Sequence, residues 1–394
     1  MSNRLFIRDY MDNHLPIFDK DKCTFFALGR NAMFAVCQIL GLQASDEILT
    51  PAFDCDGSLQ PFRVLGCKFV FFRSNPHSFE IDLDDLRRRI TSKTKLIHII
   101  NHFGFPQPWN QIMKLRKELD IPILEDNAYS LFSKFEGKLF GTFGDFSIFS
   151  LRKNLSIIEG GMLRINNTKY TFKLNKKDNT LFYAHQLFYF LKKIKDRLGF
   201  YGTPRILKIL LKKISPEIEP PPPLYSSPQE TFPEWPLRDL ISKEFSIDYL
   251  RSISHIAEKQ LGKFTLKDYI DIMDKKKHYY LWLSQKIADI DGITILWPKL
   301  PEGIVPFCLS VFIESSRDGF LNELRKKYDV MAWPTLSRLV LDRLEDFPEI
   351  EIMGRKLLQI NLPAEKVRSV KFGVYLDRLV DDLHNLARKY LPKK

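Results

Sequence analysis

Short apolar runs of strand length alternate with stretches of helical character through the first 165 residues, and this alternation leaves few folds open to the chain. The runs are Glu47–Thr50 (EILT), Lys68–Phe72 (KFVFF), Lys95–Asn101 (KLIHIIN), Ile121–Asp126 (IPILED), Asp145–Ser150 and Gly161–Ile165. Among them lie Asn31–Leu42, apolar at helical spacing, and two further helical stretches, Asp84–Ile90 and Asn110–Leu119. Strands joined by helices imply right-handed crossovers and a mostly parallel sheet, so the fold class is α/β. Ligands of such sheets lie outside the carboxyl ends of the strands, and strand-end residues are therefore the place to look for chemistry.

The pattern breaks after Ile165. In 167–214 ten Lys and two Arg stand against two Asp, so this segment alone carries +10 of the net charge of +12. Within it, Thr180–Arg197 and Pro204–Ile214 are aromatic or aliphatic on one side and basic on the other, and Pro220–Pro223 are four consecutive prolines. We expect three parts: a large domain over 1–166, a basic amphipathic helical insertion with a Pro-rich linker over 167–235, and connecting helices with a small α/β C-terminal domain over 236–394. Three readings of the insertion stay open. Its apolar stripe can pack on the enzyme body or a partner subunit, or 180–214 can make a peripheral contact with an anionic membrane. Nucleic acid is the third, and it is disfavoured because no binding fold accompanies the charge. The five cysteines show no CxxC pair and no Cys/His metal spacing, so neither a disulfide framework nor a metal site is expected. There is no signal-peptide pattern and no apolar run of roughly eighteen residues. A cytoplasmic protein is expected, with a peripheral position on the inner face of the membrane if the insertion binds lipid.

Two strand ends carry chemistry-bearing residues. Glu125 and Asp126 close one apolar run, and Lys153 follows within three residues of the end of another at Ser150. Taken singly, these read better as solvated carboxylates and a surface lysine. A lysine beside a carboxylate from a neighbouring strand can also form an imine with a carbonyl compound. Gly29-Arg30-Asn31, just before the first long helix, is either an ordinary helix entry or an anion site at a helix N-terminus.

The order Glu125-Asp126-Asn127-Ala128, Phe149-Ser150, Lys153-Asn154, Glu159-Gly160-Gly161 resembles the fold-type I pyridoxal-phosphate (PLP) enzymes, more narrowly the DegT/DnrJ/StrS family of sugar aminotransferases. Ile99–Pro106 (IINHFGFP) and Asp46–Pro51 (DEILTP) are similar to further family strands. The resemblance runs in order from about Ala27 to Ile165 and more loosely through the C-terminal part. It implies the type I transferase fold and the cofactor pyridoxal 5'-phosphate. Lys153 would hold the cofactor as a Schiff base and shuttle a proton, and Asp126 would face the ring nitrogen. Gly29, Arg30, Asn31 and Ser150 would meet the phosphate, and Tyr129 would lie beside the ring. It further implies a homodimer with sites at the subunit interface, and transamination of a nucleotide-linked keto-sugar from an amino acid donor such as glutamate, in polysaccharide or cell-envelope sugar biosynthesis. Dehydratases of the same family typically have His in place of the lysine, and Lys153 sets this chain apart from them. Three departures stand out. Cys55 occupies the place of the ring-stacking aromatic, only two residues separate Ser150 from Lys153, and the loop that reaches the partner's phosphate is not recognisable. The competing reading is a catalytically degenerate PLP-fold protein serving as a binding or membrane-associated assembly component.

Overall fold

A computed structural model describes residues 16–19, 21–155, 157–174, 249–332, 336–362 and 369–391. The proposed amphipathic helices and the proline run of 167–235 lie outside the described residues beyond position 174.

The larger sheet has seven strands: β1 (Cys23–Phe26), β2 (Glu47–Pro51), β3 (Lys68–Phe72), β4 (Thr94–Ile100), β5 (Ile123–Asn127), β8 (Phe146–Ser150) and β9 (Gly161–Ile165). A two-stranded hairpin, β6 (Lys134–Phe135) and β7 (Lys138–Leu139), precedes β8. The spatial order is β1-β9-β8-β5-β4-β2-β3. The run from β8 to β3 is parallel, and β9 and β1 close one edge antiparallel. Strands β5 (ILEDN) and β8 (FSIFS) are buried along their whole length, polar residues included.

Two buried carboxylates fix the ends of β5. Asp145 accepts from the Ile123 amide at 2.8 Å and pairs with Arg116 through Nε at 2.9 Å and Nη2 at 3.0 Å. Glu125 points to the sheet face opposite its neighbour Asp126. It accepts from the amides of Gly141 (2.6 Å), Phe143 (3.0 Å) and Gly144 (3.2 Å), and from Ser147 Oγ (3.1 Å) and Asn101 Nδ2 (3.3 Å). The loop leading into β8 is thus wrapped around one side chain.

The helix Gly29–Ile39 crosses this sheet with Ala32, Met33, Ala35 and Val36 buried against it. Its first turn is closed locally, because Asn31 Oδ1 accepts from the Leu28 amide at 3.0 Å. Gly161, at the start of β9, lets this turn lie directly on the sheet: a Cβ there would stand 2.1 Å from the Leu28 carbonyl oxygen.

The C-terminal residues form a second, antiparallel sheet in the order β10-β11-β13-β12, from β10 (Ile293–Ile295), β11 (Cys308–Ile313), β12 (Val330–Met331) and β13 (Leu357–Asn361). Helices Leu266–Ile287, Arg317–Leu324, Pro348–Lys356 and Ser369–Tyr390 accompany it. The two sheets meet closely at Gly104 (φ +95°), where a Cβ would lie 2.6 Å from the Val305 carbonyl oxygen. Ser133 bonds both Gly104 and Val305 across the same seam. Among the described residues no helix is long and apolar enough to cross a membrane.

Candidate active site

The carboxyl ends of β2, β4, β5 and β8 converge beside the N-terminus of helix Gly29–Ile39. Register explains who meets whom. Ile100 is level with Asp126, and Asp126 with Ile148. Side chains alternate along a strand, so His98, two residues before Ile100, lies on the same face and just below Asp126. Its Nε2 is 3.3 Å from Asp126 Oδ2, while Asp126 Oδ1 accepts from the Ala128 amide at 2.8 Å. On its other side, His98 Nδ1 is 3.0 Å from Thr50 Oγ1 at the end of β2 and 3.8 Å from Asp54 Oδ2.

Lys153, in the single helical turn Leu151–Asn154 after β8, is partly buried, and its Nζ donates to Tyr129 Oη at 2.8 Å. Burial draws this amine toward its neutral form, while Cys55, Asp126 and Asp54 act in the opposite sense and Arg152 adds to the lowering; the net direction is down. Tyr129 is held from behind by the edge of Phe307, with ring centroids 4.6 Å apart. Burial raises its hydroxyl well above the usual tyrosine range, so it stays a neutral acceptor for the amine. Burial also pushes the Cys55 thiol up to about 11, helped by the neighbouring Asp54. It is therefore a small, neutral surface and not a thiolate nucleophile.

The remaining sequence candidates gather nearby. A Cβ on Gly29 would lie 3.6 Å from Ser150 Cβ, so the helix start and the end of β8 are in contact. The first N–H groups of a helix have no acceptor within it, and an anion is favoured there. Arg30 reaches Gln60 Oε1 at 3.3 Å. Asn31 is committed within the chain: its amide bonds the Leu28 carbonyl, its Oδ1 the Leu28 amide, and its Nδ2 the Tyr249 carbonyl at 3.0 Å. Its contribution is to shape the turn.

His98, Thr50, Asp54 and Phe307 were not singled out from the sequence. His98 and Thr50 left one signal, a polar residue inside an otherwise apolar run. His102, after β4, is also buried, between the rings of Phe53, Phe79 and Phe103, and burial drives its imidazole down to about 3. Among the described residues no group of three or more His, Cys, Asp or Glu side chains could hold a metal ion.

Residues 18–180 match the model of the DegT/DnrJ/EryC1/StrS aminotransferase family. The chain is 33% identical over 141 residues to GDP-perosamine synthase of Escherichia coli O157:H7, covering 35% of this chain and 39% of that relative. It is 29% identical over 357 residues to dTDP-4-dehydro-2,3,6-trideoxy-D-glucose 4-aminotransferase of Saccharopolyspora spinosa, covering 89% and 81%. Alignments to the first two curated relatives span 39% and 40% of their lengths. Among solved structures, the Streptococcus pneumoniae protein Spr1654 in its PLP form is similar, with a TM-score of 0.66 at 15% identity, over 97% of this chain and 90% of that one. At that identity the likeness shows the fold: a large, mostly parallel α/β sheet with a smaller C-terminal unit.

Proposed function

We propose that this chain, which belongs through residues 18–180 to the DegT/DnrJ/EryC1/StrS aminotransferase family, is a PLP-dependent aminotransferase. Its substrate would be a keto-sugar, nucleotide-linked, with an amino acid such as glutamate as donor, in the making of a polysaccharide or envelope sugar. Two kinds of relative support this. The two curated ones above are named for nucleotide-sugar chemistry, and Spr1654 has been solved in both PLP and PMP forms.

The donor set fits the cofactor. One observation carries the reading: a partly buried lysine, drawn toward the free base, stands at the end of one strand while a buried carboxylate, Asp126, ends the next. Bound PLP would supply a carbonyl that condenses with amines and a pyridine ring that withdraws electrons. The protein's own part follows from the geometry. Lys153 Nζ, drawn toward its neutral form by burial, would be the amine that anchors the cofactor and the base for proton movement at the reacting carbon. Tyr129 Oη holds that Nζ in place. Asp126 would face the ring nitrogen and favour its protonated form. The Gly29-Arg30-Asn31 turn and Ser150 would face the phosphate dianion. The Tyr129 ring lies 4.0 Å from the amine and is itself packed against Phe103 and Phe307.

The test is reconstitution with PLP. Wild type should gain a visible absorption band that glutamate bleaches with release of 2-oxoglutarate, and Lys153→Ala should show neither. The absence of a band in the wild type would sink the proposal. It would favour instead a catalytically degenerate PLP fold acting as a binding or assembly component, a reading that Cys55 supports by standing where the stacking aromatic is expected. A homodimer is proposed from the family resemblance, to be checked by light scattering. Peripheral membrane contact is proposed only for 180–214, from its basic amphipathic pattern; equal liposome flotation with and without that segment would eliminate it.

A further inference from the structure

Behind the candidate carboxylate lies a buried array that the family motifs did not point to. His98 is fully buried on β4, the strand between β2 and β5. It is flanked by two acids, Asp126 through Nε2 at 3.3 Å and Asp54 through Nδ1 at 3.8 Å, with Thr50 Oγ1 at 3.0 Å from Nδ1. A carboxylate oxygen only accepts, so the bond to Asp126 requires a proton on Nε2. A threonine hydroxyl donates or accepts equally well, so Nδ1 is satisfied whether bare or protonated. The tautomer is therefore fixed at one nitrogen, while the charge is left adjustable at the other.

Asp54 supplies the adjustment. One of its oxygens accepts from the Cys55 amide at 2.7 Å; the other, Oδ2, is buried without a hydrogen-bond partner and faces His98. Burial raises this carboxyl to about 6, against the pull of His98 and Ser58. The other groups around the array are Cys55, neutral for the reason given above, Lys153, which interacts with Asp126 and Asp54, and His102, whose imidazole burial drives down to about 3.

We propose that His98 is a positioning residue for Asp126, holding Oδ2 through Nε2–H, and that Asp54 sets the charge of this imidazole from behind. Ionised Asp54 would favour the imidazolium and so a more strongly held Asp126; protonated Asp54 would favour neutral His98. The consequence for a ring nitrogen at Asp126 rests on the cofactor reading above, but the array itself does not.

The test uses the cofactor-free protein. Long-range 1H–15N correlation spectra with 15N-histidine report the tautomer and charge of each imidazole, with His98 assigned by His98→Gln. Across pH 5 to 8, Nε2 should remain protonated, and the Nδ1 signal should move together with the 13C signal of the Asp54 carboxyl. In Asp54→Asn that Nδ1 inflection should shift to lower pH. His98 protonated only at Nδ1, or an Nδ1 titration identical in wild type and Asp54→Asn, would overturn the proposal. If Asp54→Asn does not fold, the wild-type tautomer and the joint movement of the two signals decide. A second readout is PLP affinity by fluorescence quenching. His98→Gln, whose amide still donates to Asp126, should stay near wild type, while His98→Leu should lose roughly tenfold or more. Failure of the wild type to bind PLP would refute the cofactor reading and leave the spectra to judge the array.

Discussion

Replacing Glu125 with leucine should be among the most destabilising single changes in the chain, and its magnitude can be worked from the bonds the carboxylate receives. Oε1 accepts from the Gly141 amide and Asn101 Nδ2; Oε2 accepts from the amides of Phe143 and Gly144 and from Ser147 Oγ. In Glu125→Leu the asparagine keeps its 2.8 Å bond to Asn127 Oδ1, and the serine hydroxyl can turn. The three backbone N–H groups have no such freedom. A buried donor left without an acceptor costs about 1–3 kcal/mol, so the loss should be on the order of 3–6 kcal/mol after some relaxation. That is a large fraction of the ~5–15 kcal/mol by which most domains are stable. Glu125→Gln keeps one oxygen and should cost less, about 1–3 kcal/mol, because an NH₂ then faces N–H groups on one side. The assay is urea denaturation followed by circular dichroism, with hydrogen exchange resolved at residues 141–144. Those amides should exchange faster in both variants, more so in the leucine variant. A Glu125→Leu protein within about 1 kcal/mol of wild type, with unchanged protection at 141–144, would refute the assignment of Glu125 as the organiser of that loop.

Two further outcomes are expected. Lys276, buried with its Nζ over the Phe307 ring, is pushed by burial down to about 8 from 10.5. The unfolded chain then binds more protons between those two values, so wild-type stability should rise as pH climbs from 8 toward 10.5. Lys276→Met should be the more stable protein at pH 7 by about 3 kcal/mol, with the gap closing over that range; a gap independent of pH would contradict the reasoning. In Gly161→Ala the new Cβ would meet the Leu28 carbonyl oxygen at 2.1 Å and the Gly29 nitrogen at 2.6 Å, forcing the helix start off the sheet. PLP affinity should fall tenfold or more and stability by about 1–3 kcal/mol, checked by fluorescence titration and thermal melting; unchanged values for both would show that the turn is not the phosphate cradle.

What the sequence revealed follows from how each feature is encoded. The parallel strands were legible because each contains a short, largely apolar stretch of strand length, as in Lys68–Phe72 (KFVFF). Asp126 and Lys153 could be singled out as candidates because they stand at strand ends in a recognisable order. His98 was not, because its partners Thr50, Asp54 and Asp126 are 48, 44 and 28 residues away and meet it only through the strand order β5-β4-β2. An isolated histidine in KLIHIIN reads as an ordinary core residue until that order is known. The antiparallel C-terminal sheet was seen only in part, since β10 and β12 are three and two residues long and leave almost no periodic signal. Asn31 was read for its place before a helix. Its bond to the Tyr249 carbonyl, 218 residues on, could come only from the tertiary fold.

That last bond has company. The Ala27 amide bonds the Arg251 carbonyl, and Cys55 forms an isolated bridge with Leu336. Ser337 donates its amide to the Asp54 carbonyl and its hydroxyl to Asp56 at 2.7 Å. The helix entry and the Asp54–Asp56 side of the candidate site are thus buttressed by residues beyond position 248, although the site's chemical groups all come before position 154. On the ribosome, the lysine and its carboxylate emerge early but cannot be locked in place until most of the chain has been synthesised. The nascent sheet must wait with a half-built pocket and exposed apolar strands, a state prone to association. Truncated chains ending before Leu336 should therefore bind cofactor poorly even where the large sheet has formed, and synthesis of this protein should be more sensitive than its mature form to loss of chaperone protection.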